Sequence, residues 1–248
     1  MSQLNEYTGT FELEFERPLT GAEVDAYRNL VRRRGQREPV AHLVGQREFW
    51  SLQLEITSDV LIPRPETELL VEVALRQIPP AAPWRVADLG TGSGAVAIAI
   101  AMERPQCELQ ASDCSAAALA VARRNAQRHA PGRIRFHLGS WLEPLKGPFD
   151  VVVGNPPYVA QADPHLLRGD CRFEPAAALT PGPDPLAAIR EIVSSALPRL
   201  APGGLLALEH GCDQGQTVRD LLREGGYQEV ETLSDAAGLE RVTVGRKR

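Results

Sequence analysis

Arg85-Val-Ala-Asp-Leu-Gly-Thr-Gly-Ser-Gly94 runs from an apolar strand, Arg85 to Leu89, into a turn with glycine at every second position, and a helix, Gly94 to Glu103, follows at once. Three alternate glycines, Gly90, Gly92 and Gly94, are more than a tight turn requires, and side chains there would keep a nucleoside off the backbone. Outward from this unit, strand and helix signals alternate. The pattern predicts strands at Glu108–Ser112, Ile134–Leu138, Phe149–Val153 and Leu205–Glu209, and helices at Ala116–Arg128, Pro185–Leu200 and Gln214–Glu224. Only a short helix or turn separates the strands at Ile134 and Phe149. Tyr227–Leu233 and Arg241–Val244 close the chain as two strands near enough in sequence to be antiparallel. Such alternation implies an α/β fold, a doubly wound, mostly parallel sheet of seven strands with helices on both faces. Ligands of these sheets sit at the carboxyl ends of the strands.

Upstream the rhythm differs. Thr20 and Glu23 form a capping box for a helix reaching about Gly35, whose exposed side carries Arg28, Arg32, Arg33, Arg34 and Arg37. Arg47–Val60 alternates and is rich in aromatic and branched residues, as in a short hairpin, and Pro63 and Pro65 lead into a helix, Glu66–Gln77. The proline-rich run Ile78–Pro83 is a linker. Three parts are therefore expected: residues 1–45, a helical segment; 46–80, hairpin and linker helix; and 81–248, the α/β domain.

Composition narrows the function. The 248 residues are 43% hydrophobic and 24% charged, which excludes disorder and fibrous classes, and a net charge of -5 gives no overall drive toward nucleic acid or an anionic membrane. Cys107, Cys114, Cys171 and Cys212 are scattered without a C-x-x-C pair, so neither a metal site nor a disulfide framework is expected, and free thiols suit a reducing cytosol. The N-terminus lacks a signal-peptide pattern, and the longest apolar stretch, Ala95–Met102, is far short of the about 20 residues that cross a bilayer. A cytoplasmic protein without a membrane partner is the expectation, with a monomer as the simplest state.

Gly90, Gly92 and Ala95 also satisfy G-x-G-x-x-A, so a dinucleotide must be weighed. Asp88, two residues before the first glycine, favours S-adenosylmethionine instead, because a carboxylate there could hold the methionine ammonium but would repel a pyrophosphate. Asp113, ending the next strand, is placed to accept ribose hydroxyls; its plainer alternative is a cap for the helix beginning near Ala116.

Phe149-Asp-Val-Val-Val-Gly-Asn-Pro-Pro-Tyr158 is the most specific stretch in the chain. Successive prolines stiffen the backbone and remove two donors, leaving the Asn155 side-chain oxygen and the Pro156 carbonyl as acceptors, with the Tyr158 ring as a planar lid. Such a pair binds both hydrogens of a planar amino group, an amide or a base amine, and aims its nitrogen at a sulfonium methyl. Asn155, Pro156 and Tyr158 are accordingly the candidate catalytic residues.

Leu61-Ile-Pro-Arg-Pro-Glu-Thr-Glu-Leu-Leu70, Asp88-Leu-Gly-Thr-Gly-Ser-Gly94 and Gly154-Asn-Pro-Pro-Tyr158, in this order and spacing, resemble the peptide chain release factor N5-glutamine methyltransferase family. The likeness extends through Glu38–Gly45, Glu48–Trp50, Phe173–Pro175, Pro202–Gly204 and Asp235–Val242. It implies the class I S-adenosylmethionine-dependent methyltransferase fold and methylation of the glutamine in the Gly-Gly-Gln motif of bacterial class 1 release factors. Carried onto matching positions, Gly90, Thr91, Gly92, Ser93 and Gly94 would wrap the cofactor, Asp113 would bind its ribose, and Trp141 would lie beside the adenine. Asn155 would touch both cofactor and target amide, Pro156, Pro157 and Tyr158 would form the glutamine slot, and Leu61 and Arg64 would close over the cofactor.

Two departures stand out. Ser140 occupies the place of an acidic residue that family members usually carry before Trp141. The family's N-terminal helical domain, which grips the release factor, shows only its final helix, Thr20–Gly35, since Met1–Glu16 does not read as further helices. The nearest rival is the related enzyme acting on a ribosomal-protein glutamine; Arg64-Pro-Glu-Thr-Glu68 favours the release-factor branch. DNA adenine-N6 enzymes share Asn-Pro-Pro-Tyr but need a recognition domain and a basic surface, so direct DNA binding is not expected. A nicotinamide oxidoreductase leaves Asn155 to Tyr158 unexplained, and a non-catalytic binding module would not need the intact motifs.

Overall fold

The structure, a computed structural model, describes residues 18–167 and 171–248. The chain divides into two units, Met1–Arg37 and Glu38–Arg248. In the first, helix α1 (Gly21–Gly35) begins at the expected capping box: the Thr20 hydroxyl accepts from the Glu23 amide and the Glu23 carboxylate accepts from the Thr20 amide at 2.8 Å. The reading of Met1–Glu16 lies outside the described residues.

The second unit opens with a helix the sequence pattern did not signal, α2 (Val40–Val44), which Gly45 ends in the left-handed region at φ 74°. The expected hairpin follows as β1 (Gln46–Phe49) and β2 (Leu52–Glu55). Its two turn residues, Trp50 and Ser51, have positive φ without being glycine; Glu68 holds the turn by accepting from the Trp50 amide at 2.9 Å. Helix α3 (Glu68–Gln77) starts two residues later than expected because Pro65 opens a tighter 3-10 turn, Pro65–Thr67.

The sheet contains β3 (Arg85–Leu89), β4 (Glu108–Asp113), β5 (Ile134–Leu138), β6 (Phe149–Gly154), β7 (Leu200–Glu209), β8 (Gln228–Ser234) and β9 (Glu240–Arg246), in the order β5-β4-β3-β6-β7-β9-β8. β9 runs antiparallel to both neighbours, and the pairs from β5 through β7 are parallel, as the alternation implied. β7 begins earlier than predicted because Leu200 pairs with Phe149 before the register shifts to Leu205 opposite Val151. The preceding helix, α7 (Ala187–Ala196), which follows the one-turn α6 (Ala176–Leu179), is correspondingly shorter, since Pro198 lies in a closing 3-10 turn, Leu197–Arg199.

Central strands are buried on both faces. Val151 and Val153 pack with Leu70, Ile98 and Val121 of α3, α4 (Ala95–Glu103) and α5 (Ala116–His129), while Val152 packs with Ile192 of α7 and Val218 and Leu222 of α8 (Gly215–Glu224). Each large side chain so buried contributes about 1.5–3 kcal/mol. Because both faces are occupied, a ligand can reach the sheet only at an edge, and the register sets which residues meet there. Leu89 stands opposite Ser112 and Gly154, and Gly154 opposite Leu208. The residues that follow, Asp113, Gly90, Asn155 and Glu209, are therefore carried side by side on the carboxyl edge, where connections leave β3 in both directions. No helix among the described residues is long and apolar enough to cross a membrane.

Candidate active site

A cleft of about 450 Å³ opens at this edge, lined by Leu61, Gly90, Gly92, Asp113, Trp141, Asn155 and Pro157 among the expected residues, and by Val60, Pro175, Ala178 and Glu191 besides. A groove of about 500 Å³ beside Leu205 and Arg246 is no smaller but has none of the glycine loop. Arg64, Asp88, Thr91, Ser93, Gly94, Pro156 and Tyr158 do not line the cleft, and each has a different part.

The three loop glycines have φ of 67°, 54° and 84°, a region that disfavours side chains. Their tasks divide. A β-carbon on Gly90 would lie 3.2 Å from the Trp141 ring, so this glycine lets the indole rest on the loop, and one on Gly94 would lie 3.1 Å from Ile98 and 3.3 Å from Ala122, so this one seats the loop on α4 and α5. Gly92 meets nothing within 4 Å and faces open cleft. Thr91 and Ser93 are buried; the Thr91 amide donates to the Ser112 carbonyl, and Asn125 ties the Ser93 carbonyl to the backbone of Glu55 in the hairpin.

Asp113 accepts from the Gly92 amide at 2.9 Å and from the Ser115 amide at 2.8 Å, one on each oxygen. The helix cap is Ser115, whose hydroxyl accepts from Ala118, so the capping alternative for Asp113 falls away. Each carboxylate oxygen retains a lone pair for a hydroxyl. Burial raises the Asp113 pKa against the pull of the two amides. Trp141, at φ 44°, is pinned by its carbonyl, which accepts from the buried Ser112 hydroxyl at 2.6 Å. Ser140 is exposed beside it at the cleft edge.

Asp88 corrects the expectation. Its side chain turns inward, accepting from the Thr91 hydroxyl at 2.6 Å, with the Ala97 amide in the first turn of α4 near enough to pull its pKa down, and the residue is 2% exposed. It buttresses the loop instead of presenting a carboxylate to the cleft. Burial lifts its pKa from 3.8 to about 6. The folded chain thus holds a proton that the unfolded chain releases, and stability falls as pH rises through that window, by about 3 kcal/mol in all. Asp88→Asn keeps an acceptor for Thr91 and is expected to melt several degrees higher than the unaltered chain at pH 8, with the gain shrinking toward pH 4.5. A lower melting temperature at pH 8 would show that the charge itself holds the loop.

Arg64 also departs from its expected place. Its guanidinium donates to Glu174 Oε2, while Glu174 Oε1 accepts from the Ile62 amide at 2.9 Å. This carboxylate, with a fully buried side chain, joins the stretch carrying Val60 and Leu61 to the one carrying Pro175 and Ala178, so that the two cleft walls are tied together.

Asn155 Nδ2 donates to the Thr67 hydroxyl at 3.2 Å, which commits the nitrogen end of the amide and leaves Oδ1 for a ligand. Pro156 is buried behind it. The Tyr158 hydroxyl donates to Glu209 Oε1 at 3.2 Å, and burial followed by the charge of Glu209 pushes the phenol pKa upward. Gln214 Nε2 donates to the Tyr158 carbonyl at 3.0 Å, and Gln214 Oε1 accepts from the Gly211 amide at 2.9 Å. Thr67, Glu174, Glu209 and Gln214 carry these contacts, and sequence reasoning assigned none of them a role. The one available signal was Glu209, a charge ending an apolar strand at the ligand edge.

The open face of Gly92, the half-satisfied Asp113 and the indole over Gly90 suit an adenosyl group. The fold is shared with a methyltransferase from Pyrococcus furiosus (TM-score 0.61, 17% identity, 88% of this chain and 98% of that one). It is shared also with a ribosomal protein L11 methylase from Lactobacillus delbrueckii subsp. bulgaricus (TM-score 0.55, 20% identity, 75% and 81%). The methyltransferase small domain family matches residues 65–177 and the PrmC N-terminal domain family residues 8–45. Fold and site together define a class I methyltransferase, whose methyl donor is S-adenosylmethionine. Curated relatives are more specific. A release factor glutamine methyltransferase of Xylella fastidiosa is 51% identical over 230 residues, 92% of this chain and 84% of the relative, and one of Salmonella typhimurium is 48% identical over 232 residues, 93% and 83%. The chain belongs to the release factor glutamine methyltransferase family.

Proposed function

We propose that this chain transfers a methyl group from S-adenosylmethionine to the side-chain amide nitrogen (N5) of the glutamine in the Gly-Gly-Gln motif of bacterial class 1 release factors, in the cytoplasm. The observation that carries the reading is the Asn155 amide, oriented by Thr67 with its oxygen free, one strand from the cofactor loop at Gly90. Bound S-adenosylmethionine would supply an electrophilic methyl on a sulfonium, its methyl–sulfur bond breaking to leave neutral S-adenosylhomocysteine while the amide nitrogen gives up one N–H proton to water. The chain's part is to make a poor nucleophile react. An amide lone pair is delocalised, so Asn155 Oδ1 and the Pro156 carbonyl hold the two N–H groups, fix the nitrogen in line, and bond more strongly as positive charge develops on it. Pro157 and the Tyr158 ring bound the slot. Leu61, Gly90, Gly92, Asp113 and Trp141 would hold the cofactor, and residues 1–45 would help dock the protein substrate.

Incubation with S-adenosylmethionine and unmethylated release factor, followed by peptide mass spectrometry, is expected to place one methyl group on the Gly-Gly-Gln glutamine. A methyl group found only on a ribosomal-protein glutamine would replace the substrate assignment. Asp113→Ala is expected to weaken S-adenosylhomocysteine binding by about 10-fold or more in calorimetry, the loss of a charge-assisted hydrogen bond to the ribose. Equal affinity would reduce Asp113 to a brace for Gly92 and Ser115.

A further inference from the structure

Glu209 ends β7 one residue beyond Leu208, the register partner of Gly154 that precedes Asn155, and is 1% exposed, yet among the described residues it is neither paired with a cation at hydrogen-bond distance nor a wall of the cleft. Its Oε1 accepts from Tyr158, and Oε2 has no hydrogen-bond partner among the described residues. A buried carboxylate this poorly satisfied costs folding stability, so its presence needs a reason other than packing. We propose that Glu209 is the positioning residue of the glutamine slot, an acceptor-only group that sets the polarity of the hydroxyls on either side of it. The inference rests on the glutamine-methylation reading and extends it.

A carboxylate can only accept, so the Tyr158 hydroxyl must donate to it, which fixes the ring plane that walls the slot. The Thr67 hydroxyl accepts from Asn155 Nδ2 at 3.2 Å and lies beside the same carboxylate, near enough to lower its pKa though outside hydrogen-bond geometry, so the charge draws the hydroxyl proton its way and leaves the lone pairs for Asn155. That selects the amide orientation with Oδ1 outward. Reverse the Thr67 hydroxyl and the Asn155 amide is free to flip, presenting a donor to the target NH2 group, which itself has only donors to offer. Gln214 holds the Tyr158 carbonyl from the same loop, so the end of β7 grips the motif twice.

The charged groups acting on this carboxylate are Arg241 on β9 and Glu66 in the turn before α3, and their influences oppose each other. Burial dominates and lifts the Glu209 pKa from 4.5 to about 7. Two consequences can be read separately. The slot is correctly polarised only when the carboxylate is charged, so turnover rises with pH through about 7. Charging it costs the folded state, so Glu209 lowers stability increasingly from pH 4.5 upward.

Glu209→Gln is therefore expected to melt no lower than the unaltered chain at pH 8, to bind S-adenosylhomocysteine equally, and yet to lose about 10-fold or more in kcat on release factor. Its kcat should no longer rise across pH 6–8, and adding Tyr158→Phe should cost little further, because the two act as one unit. A kcat within twofold of the unaltered chain with the same pH profile would overturn the proposal, as would multiplicative losses in the double variant. The coupling is also open to a reading without turnover. The Glu209 carboxyl, followed by carbon NMR, should titrate near 7 and move upward in Thr67→Val and Tyr158→Phe; an unmoved titration overturns the proposal even where the substrate assignment has failed.

Discussion

Asn155→Ala is expected to lower turnover by about 100-fold or more at saturating donor and protein substrate, the scale of losing one preorganised polar group at a reacting centre. Two features of the surroundings make this a loss of chemistry and not of fold. The side chain is only half-buried, and its one hydrogen bond among the described residues is to Thr67, a hydroxyl whose proton already faces the Glu209 carboxylate and whose freed lone pair water can meet when the amide is gone. Removal leaves Pro156 and Pro157 to fix the backbone, so the slot keeps its walls and loses the acceptor that aligns the target nitrogen. Single-turnover methyl incorporation, measured beside thermal denaturation, separates the effects. A fall in rate with an unchanged melting temperature is expected, and an unchanged rate would remove Asn155 from the mechanism.

The sequence made the scaffold legible because burial on both faces of a parallel sheet writes itself as short apolar runs. β3 and β5 have the predicted ends, and the antiparallel closing pair is where two strands with too short a link for a crossover must be. Once the strand order is known, register alone brings Asp113, Gly90 and Asn155 together. What periodicity cannot state is which way a side chain turns at the strand end. Asp88 is two residues from Gly90, and that proximity suggested a ligand; in the structure its carboxylate goes under the loop, to the Thr91 hydroxyl. The supporting polar groups were hidden for a different reason. Thr67 and Asn155 lie 88 positions apart, Tyr158 and Glu209 51, and Arg64 and Glu174 110, so their pairing is created by the fold and leaves no local pattern.

Glu174→Ala is expected to lower the melting temperature by about 5–10 °C and to weaken S-adenosylhomocysteine binding by about 10-fold or more. The stability loss has a definite source. Truncation orphans the Ile62 amide, which is buried, at about 1–3 kcal/mol, whereas Arg64 keeps part of its surface in water and can be rehydrated. An ion pair of this kind is weak evidence for net stability, but removing its buried member is costly because the groups it satisfied stay behind. The affinity loss comes from geometry. Leu61 and Val60 on one side of the cleft, and Pro175 and Ala178 on the other, are held together through this one carboxylate, and none of the four is otherwise charged or polar enough to find a new partner. Glu174→Gln preserves an acceptor for Ile62 and so should recover most of the melting temperature while regaining less of the affinity, since a neutral amide holds the guanidinium of Arg64 less firmly. Calorimetry on both variants decides the matter: if affinity follows the unaltered chain while stability falls, the carboxylate serves the fold alone, and the walls of the cleft are positioned by the packing of Val60 and Ile62.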